Sequence, residues 1–218
     1  MKRFDTVIFD LDGTLLDTLE DITYSVNSAL AQYGFPSRAM AEIRSFIGSG
    51  AARLMELSIP GGLNNQQYEK CLAAFRKHYA EHMQNKTGAY VGIIELLGHL
   101  SQQGYKIAIA SNKFDKEVKE FAQIYFGEYI KIAIGESENV SRKPSPALVF
   151  KALEELGSNA EQSVYVGDTE VDIQTAKNAK MICIGVTWGY RNRMLLEQEG
   201  ADYVIDKPQE LLKILEMC

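Results

Sequence analysis

The sequence predicts an α/β protein, a doubly wound parallel sheet interrupted by an inserted all-helical segment. Three observations carry this reading. Short apolar runs recur at 6–9, 106–110, 163–166 and 181–186, and each is continuous rather than alternating, as strands covered on both faces are. Helical patterns lie between these runs, and strands alternating with helices favour parallel pairing. One stretch, residues 16–88, breaks the alternation, with helical patterns and no convincing strand.

Taken in chain order, the first strand is followed by the insert. It reads as a helix over 19–33 stopped by Gly34, a second over 39–46, a third over 51–57 and a long fourth over 66–83. Its flanks, 14–18 and 85–91, are the expected hinges. The predicted division is therefore residues 1–15 and 89–218 for the α/β part and 16–88 for the helical part. Past the insert, Ile93, Leu96, Leu97 and Leu100 share one helical face, and a second such pattern over 147–156 is closed by Gly157 as a C-cap. A weaker strand is expected at 130–134 and an edge strand at 203–205. Internal repeats and low-complexity segments are absent from the sequence.

A chain of 218 residues suits one large domain, or a core with a modest insert, and can bury a sizeable core. Its 46% hydrophobic and 24% charged residues exclude the disordered and fibrous classes. A formal net charge of −6 lacks the basic balance of a general nucleic-acid or anionic-membrane binder, so neither partner is expected. Lys and Arg residues near any phosphate site are then worth finding individually. Cys71, Cys183 and Cys218 are far apart, odd in number and without C-x-x-C spacing, as reduced thiols are. The first apolar run is too short for a signal peptide, and acidic residues interrupt it. The expected location is the cytoplasm.

In α/β sheets, ligands bind at the carboxyl ends of strands. Asp10-Leu11-Asp12-Gly13-Thr14 follows the first strand, Ser111-Asn112-Lys113 the second, and Gly167-Asp168-Thr169-Glu170-Val171-Asp172 the one at 163–166; Arg142-Lys143-Pro144 lies between helical patterns. Each motif alone has an ordinary explanation: a turn with a capping Asp, a solvated Lys before a proline, a Gly-Asp turn. Together, in this order, they converge on one rim. Gly13 lets the backbone leave strand geometry, so that Asp10 and Asp12 can both reach the cleft. Clustered carboxylates repel unless a cation sits among them, and hard oxygen ligands select Mg²⁺. Lys143 and the Ser111 hydroxyl can then hold phosphate oxygens.

This set resembles the four motifs of the haloacid dehalogenase superfamily across nearly the whole chain, and the helical insert resembles that superfamily's C1-type cap. The resemblance implies a Rossmann-like core. It implies that Asp10 is a nucleophile forming an aspartyl-phosphate, and that Asp12 is the general acid and then base. It assigns Mg²⁺ to Asp10, Asp12 through its main-chain carbonyl, and Asp168, with Asp172 nearby or through water. Relatives that cleave carbon–halogen bonds or phosphonates lack the second aspartate, so Asp12 implies a phosphate ester or anhydride. Arg44-x-x-Ile47-Gly48-x-Gly50 is similar to the substrate-facing cap segment of the phosphoglycolate phosphatase group. Tyr90-Val91-Gly92 resembles its returning hinge, with Val91 where that group commonly has proline. The expected substrate contacts are thus Thr14, Ser111, Asn112 and Lys143, together with Arg44, Gly48 and Gly50. The expected activity is hydrolysis of a small phosphorylated metabolite, 2-phosphoglycolate first. A pyrophosphatase, a β-phosphoglucomutase-like phosphotransferase and a non-catalytic phosphate-binding regulator are the alternatives. Monomer and homodimer are both compatible with the sequence.

Weaker signals remain. Gly48-Ser49-Gly50 ahead of a helix can bind an anion or form a plain turn. His78 and His82, spaced i, i+4, lack a third zinc ligand and read as a solvated helix face. Trp188-Gly189-Tyr190 reads as packing, and Lys2-Arg3, Arg191 and Arg193 as solvated charges.

Overall fold

The structure is a computed structural model and describes residues 3–217; Met1, Lys2 and Cys218 lie outside the described residues. The chain divides into two compact units, one of residues 1–16 and 89–218, the other of residues 17–88.

In the first unit, β1 (Thr6–Phe9) leads to the two-residue β2 (Leu16–Asp17), at the boundary with the second unit. The second unit is helical: α1 (Leu19–Gln32), α2 (Met40–Phe46), α3 (Ala51–Ser58) and α4 (Tyr68–His82), with a single 3₁₀ turn at Gly62–Asn64. α1 ends as its sequence implies. Gly34 takes a positive φ of 71°, and Phe35 N–H returns to the Leu30 carbonyl. Cys71, Leu72, Phe75 and Tyr79 of α4 are buried, as are Ile22, Val26, Ala29 and Leu30 of α1, and these two helices pack against each other. α2 is held at its start by Glu42, whose carboxylate accepts from Ala39 N–H at 2.8 Å.

The chain returns through β3 (Gly88–Ala89), which pairs with β2 as a small two-stranded sheet. There follow α5 (Ile93–Gln102), β4 (Lys106–Phe114), α6 (Asp115–Phe126), β5 (Ile132–Glu136), α7 (Ala147–Leu156), β6 (Ser163–Gly167), α8 (Glu170–Ala179), β7 (Ile182–Val186), α9 (Arg193–Gln198), β8 (Tyr203–Ile205) and α10 (Glu210–Met217). The main sheet has the order β5-β4-β1-β6-β7-β8, and each of these neighbours pairs in parallel. β1 lies between β4 and β6, where the connection order reverses, the place at which doubly wound sheets bind ligands.

Both faces are covered, which explains the unbroken apolar runs. Ile8, Ala108, Ala110, Tyr165 and Cys183 pack in one cluster with Leu148, Val149 and Ala152 of α7 and Ile173 and Ala176 of α8. Their strand neighbours Val7, Phe9, Ile107, Ile109, Val164 and Val166 alternate to the other face and are buried too. Gly157 closes α7 at φ 60°. Two expectations shift. β4 runs on through the polar residues 111–113 to Phe114, past a register shift after Ala110, and β5 begins two residues later than the apolar pattern suggests. Among the described residues no helix is long and apolar enough to cross a membrane.

Candidate active site

Parallel register sets the height of each motif. Phe9 is paired with Ile109 on β4 and with Val166 on β6, so the residues just beyond, Asp10, Ser111 and Asp168, emerge together. Asp10 keeps the ladder one step further, its N–H donating to the Val166 carbonyl at 2.9 Å. The chain then turns tightly, with Leu15 and Leu16 N–H returning to the Leu11 carbonyl. Gly13 is obligatory in this turn: its φ is 83°, and a Cβ there would collide with the Asp168 carboxylate.

The carboxylates of Asp10, Asp168 and Asp172 come within 4.8 Å of one another, all buried. Lys143, 2% exposed, enters from the loop after β5. Its Nζ lies 2.8 Å from Asp10 Oδ1 and 2.7 Å from Asp172 Oδ1, and donates to the Tyr165 hydroxyl at 3.0 Å. Burial opposes the charge on Lys143, but Asp10 and Asp172 outweigh it and raise its pKa above the usual value. For Asp10, burial and then Asp172 push the carboxyl up to about 7, against the pull of Lys143. Asp168 is raised well above its ordinary value by burial and by Asp172 and Asp10. Burial works against Asp172 as well, yet Lys143 and the Thr169 donors hold it below the usual carboxylate range.

Such a group fits a hard divalent cation. Three carboxylates face one ammonium, which leaves two negative charges, and every donor is oxygen. Asp10 Oδ1 is buried and accepts no hydrogen bond, the Lys143 contact being an ion pair outside hydrogen-bond alignment. Asp168 is steered by one donor on each oxygen, Thr14 Oγ1 at 3.1 Å and Tyr190 N–H at 2.7 Å, and keeps lone pairs to spare. Asp172, the third member of the group, is the most heavily hydrogen-bonded of the three. Oδ1 already accepts from Lys143 and Tyr165, and Oδ2 from the Thr169 N–H and hydroxyl. A carboxylate so occupied holds the lysine and caps α8.

Thr14, fully buried, donates its hydroxyl to Asp168. Asn112 has both ends of its amide on the Lys143 main chain, Oδ1 accepting from Lys143 N–H at 2.7 Å and Nδ2 donating to its carbonyl at 3.1 Å. It therefore fixes the backbone that carries the lysine. Ser111 is buried at the rim and its Oγ accepts from Lys113 N–H at 3.3 Å. Asp12 stands apart from the three-carboxylate group, with both its oxygens bonded to Lys113 Nζ at 3.0 and 3.2 Å. Arg44, Gly48 and Gly50 belong to the helical unit. Arg44 is exposed on α2, and Gly48 and Gly50 take φ of 131° and 84° just before α3.

Lys113 and the 188–190 segment, which the sequence pattern marks only as a solvated residue type and as packing, both border the site. Trp188 Nε1 donates to the Thr14 carbonyl at 3.0 Å, and Gly189 lies so close to Gly13 and Asp168 that a Cβ would overlap both. The segment leaves the carboxyl end of β7, which was the available signal. Arg191, expected in solvent, is buried and paired with Glu170 at 2.7 and 2.9 Å. His78 and His82 stack at 4.0 Å, and among the described residues the aspartate cluster is the one group of three metal-type ligands.

Comparison with known proteins agrees with this geometry. Residues 7–186 match the family described as haloacid dehalogenase-like hydrolase. The phosphoglycolate phosphatase of Aquifex aeolicus is 32% identical over 211 residues, covering 96% of each chain. That of Pseudomonas putida is 32% identical over 212 residues, 94% of this chain and 78% of its own. The crystal structure of a candidate phosphoglycolate phosphatase from Lactobacillus delbrueckii subsp. bulgaricus superposes with a TM-score of 0.93 at 33% identity, covering 99% of both chains. A site of this construction, matched along most of its length, places the chain in the haloacid dehalogenase-like hydrolase family.

Proposed function

We propose that this hydrolase is a Mg²⁺-dependent phosphatase acting on a small phosphorylated metabolite, with 2-phosphoglycolate as its substrate, through an aspartyl-phosphate on Asp10. The observation that carries the reading is Asp10 Oδ1, a buried carboxylate oxygen without a hydrogen bond, beside the ammonium of Lys143. A buried oxygen held by an ion pair alone is available to react.

Lys143 and Ser111 hold the phosphoryl oxygens. As an Asp10 oxygen bonds to phosphorus, the bond from phosphorus to the leaving oxygen breaks, and Asp12 supplies that oxygen with a proton. Water then attacks the phosphorus, Asp12 takes its proton, and Asp10 is released. Asp10, Asp168 and the Asp12 main-chain carbonyl would hold Mg²⁺, with Asp172 behind them; when bound it offsets the carboxylate charge and that of the transferring group. Residues 16–88 act as a cap, in which Arg44 and the N–H groups around Gly48 and Gly50 receive the substrate carboxylate. The protein works in the cytoplasm as a monomer or homodimer.

The relatives named phosphoglycolate phosphatase support the substrate, and a panel of phosphometabolites ranked by kcat/KM tests it. 2-Phosphoglycolate should rank first. A higher rank for pyrophosphate or a glucose phosphate would overturn the substrate and leave the phosphatase standing.

A further inference from the structure

We propose that Lys113 is the positioning residue for Asp12, holding its carboxylate at the leaving oxygen and out of the metal-binding group. This rests on the reading of Asp12 as the proton carrier. Asp12 lies two residues from Asp10, on the tight turn that Gly13 permits and that bridges Asp12 to Leu16. Yet the buried group comprises Asp10, Asp168 and Asp172 and excludes Asp12. Lys113 meets Asp12 outside that group, its ammonium bonding both Asp12 oxygens.

The lysine is itself fixed from three sides. β4 passes a register shift beyond Ala110, and residues 111, 112 and 113 there are all buried. Lys113 N–H is bonded to Ser111 Oγ. Gly135 of β5 lies so close to the Lys113 carbonyl and the Asp115 backbone that no side chain fits there, and its N–H donates to Asp115 Oδ1 at 2.9 Å. The Lys113 ammonium is 5.2 Å from the Phe121 ring centroid, and its side chain is 5% exposed against 14% for Asp12. A lysine held this way gives Asp12 one orientation. General acid–base catalysis contributes about 10²–10⁴-fold and needs its group within hydrogen-bond reach of the proton, and a misplacement of about 1 Å can cost about 10².

The test uses the leaving group. Phosphoglycolate releases an alkoxide, which needs the Asp12 proton as its bond to phosphorus breaks; 4-nitrophenyl phosphate releases a stable phenolate, which does not. In Lys113→Met the kcat for phosphoglycolate should fall about 100-fold, with KM within about threefold. The pre-steady-state burst of nitrophenolate, which reports phosphoryl transfer to Asp10 alone, should keep its rate within about threefold. Burst amplitude counts competent sites, so partial misfolding does not disguise the result. Lys113→Arg, which keeps the ion pair, should recover at least about a tenth of the lost activity. Equal losses on the two substrates, in Lys113→Met or, if that variant shows no burst, in Lys113→Arg, would overturn the inference, as would wild-type turnover. Asp12→Asn is the control: if it too lacks leaving-group dependence, the reading of Asp12 fails; if it shows the dependence and the Lys113 variants do not, only the positioning role fails.

Discussion

Asp21, in the first turn of α1, and Asp10, just past the end of β1, are both buried carboxylates, and they are treated in opposite ways. Asp21 accepts from Lys86 N–H on both oxygens and from the N–H and hydroxyl of Thr87 on Oδ2. It ties the first turn of α1 to the segment that leads out of the unit. Asp10 has an oxygen with no hydrogen bond, two carboxylate neighbours and a pKa pushed up to about 7 by burial and by Asp172. A buried charge that is fully bonded stabilises the fold, and one left under-bonded marks the place where a ligand completes it. The two regions should therefore answer substitution in opposite currencies, one in stability and the other in rate.

The largest effect expected is on rate. Asp10→Asn keeps the shape and removes the nucleophile, so kcat should drop by at least about 10³. In EDTA its Tm should equal or exceed that of the wild type, because one of three repelling carboxylates has gone. Retained turnover would put the nucleophile elsewhere; a large loss of Tm would make Asp10 a second Asp21.

Removing the cation sharpens the contrast next. EDTA should abolish activity reversibly, and Ca²⁺ should bind with little turnover. Mg²⁺ at about 100 times its dissociation constant should stabilise the fold by about 2.7 kcal/mol, an effect lost in Asp168→Asn. In EDTA the sign with pH is set by Asp10. Its folded pKa of about 7 lies above the ordinary 3.8, so its contribution to stability is complete below about 4 and is lost as pH rises through 7. Saturating Mg²⁺ should flatten that slope in thermal melts, and an unchanged slope would count against a cation among these carboxylates.

How far such contrasts can be read in advance depends on what makes them. The strands 6–9 and 163–166 were legible because both faces of the sheet are covered, and Gly34 and Gly157 stopped their helices where a positive φ is needed. The rim motifs were legible because each follows a strand. Lys113 was not, since a lysine at the polar end of a strand is ordinarily solvated and its partner is 101 positions away. The partners of the Thr14 hydroxyl and the Asn112 amide, Asp168 and the Lys143 main chain, lie far along the chain and leave no local signal. Asp21 looked like any acidic residue in the first turn of a helix, where it is favoured without a specific partner, and β2 and β3 are too short for a periodic signal.

Breaking the Asp21 anchor should come third. Asp21→Ala leaves the Lys86 and Thr87 N–H groups, in a part-buried site, without their acceptor. Each unsatisfied donor costs about 1–3 kcal/mol, so a loss of about 3 kcal/mol in urea unfolding is expected. Nitrophenyl phosphate turnover per folded molecule should change by less than about threefold. A neutral effect on stability would mean those donors find other acceptors, and the opposition drawn between the two aspartates would weaken.

The smallest effect lies between these extremes, in a half-buried polar contact that neither locks the fold nor reacts. His78 on α4 is 3.0 Å from Ser25 Oγ of α1 through Nδ1, with its ring stacked on His82 and set edgewise to Tyr24 at 5.1 Å. Burial and then His82 hold its pKa below the usual 6.5, while Glu81 pulls the other way. The unfolded chain therefore takes up a proton near 6.5 and the folded protein only at lower pH. Above about 6.5 both states are neutral and the histidine gives no pH dependence; as pH falls below that value the unfolded state gains, and stability declines until the folded His78 protonates too. Solvent reaches this pair, so the effect should be modest, about 1 °C in Tm between pH 7.5 and 5.0 for a chain of this size. With Mg²⁺ present to silence the aspartate group, His78→Gln should reduce that decline. His82→Gln, which removes the neighbouring charge, should reduce it less, because burial is the larger cause. Superimposable melting curves for wild type and His78→Gln across that range would show that the α1–α4 contact does not sense protonation.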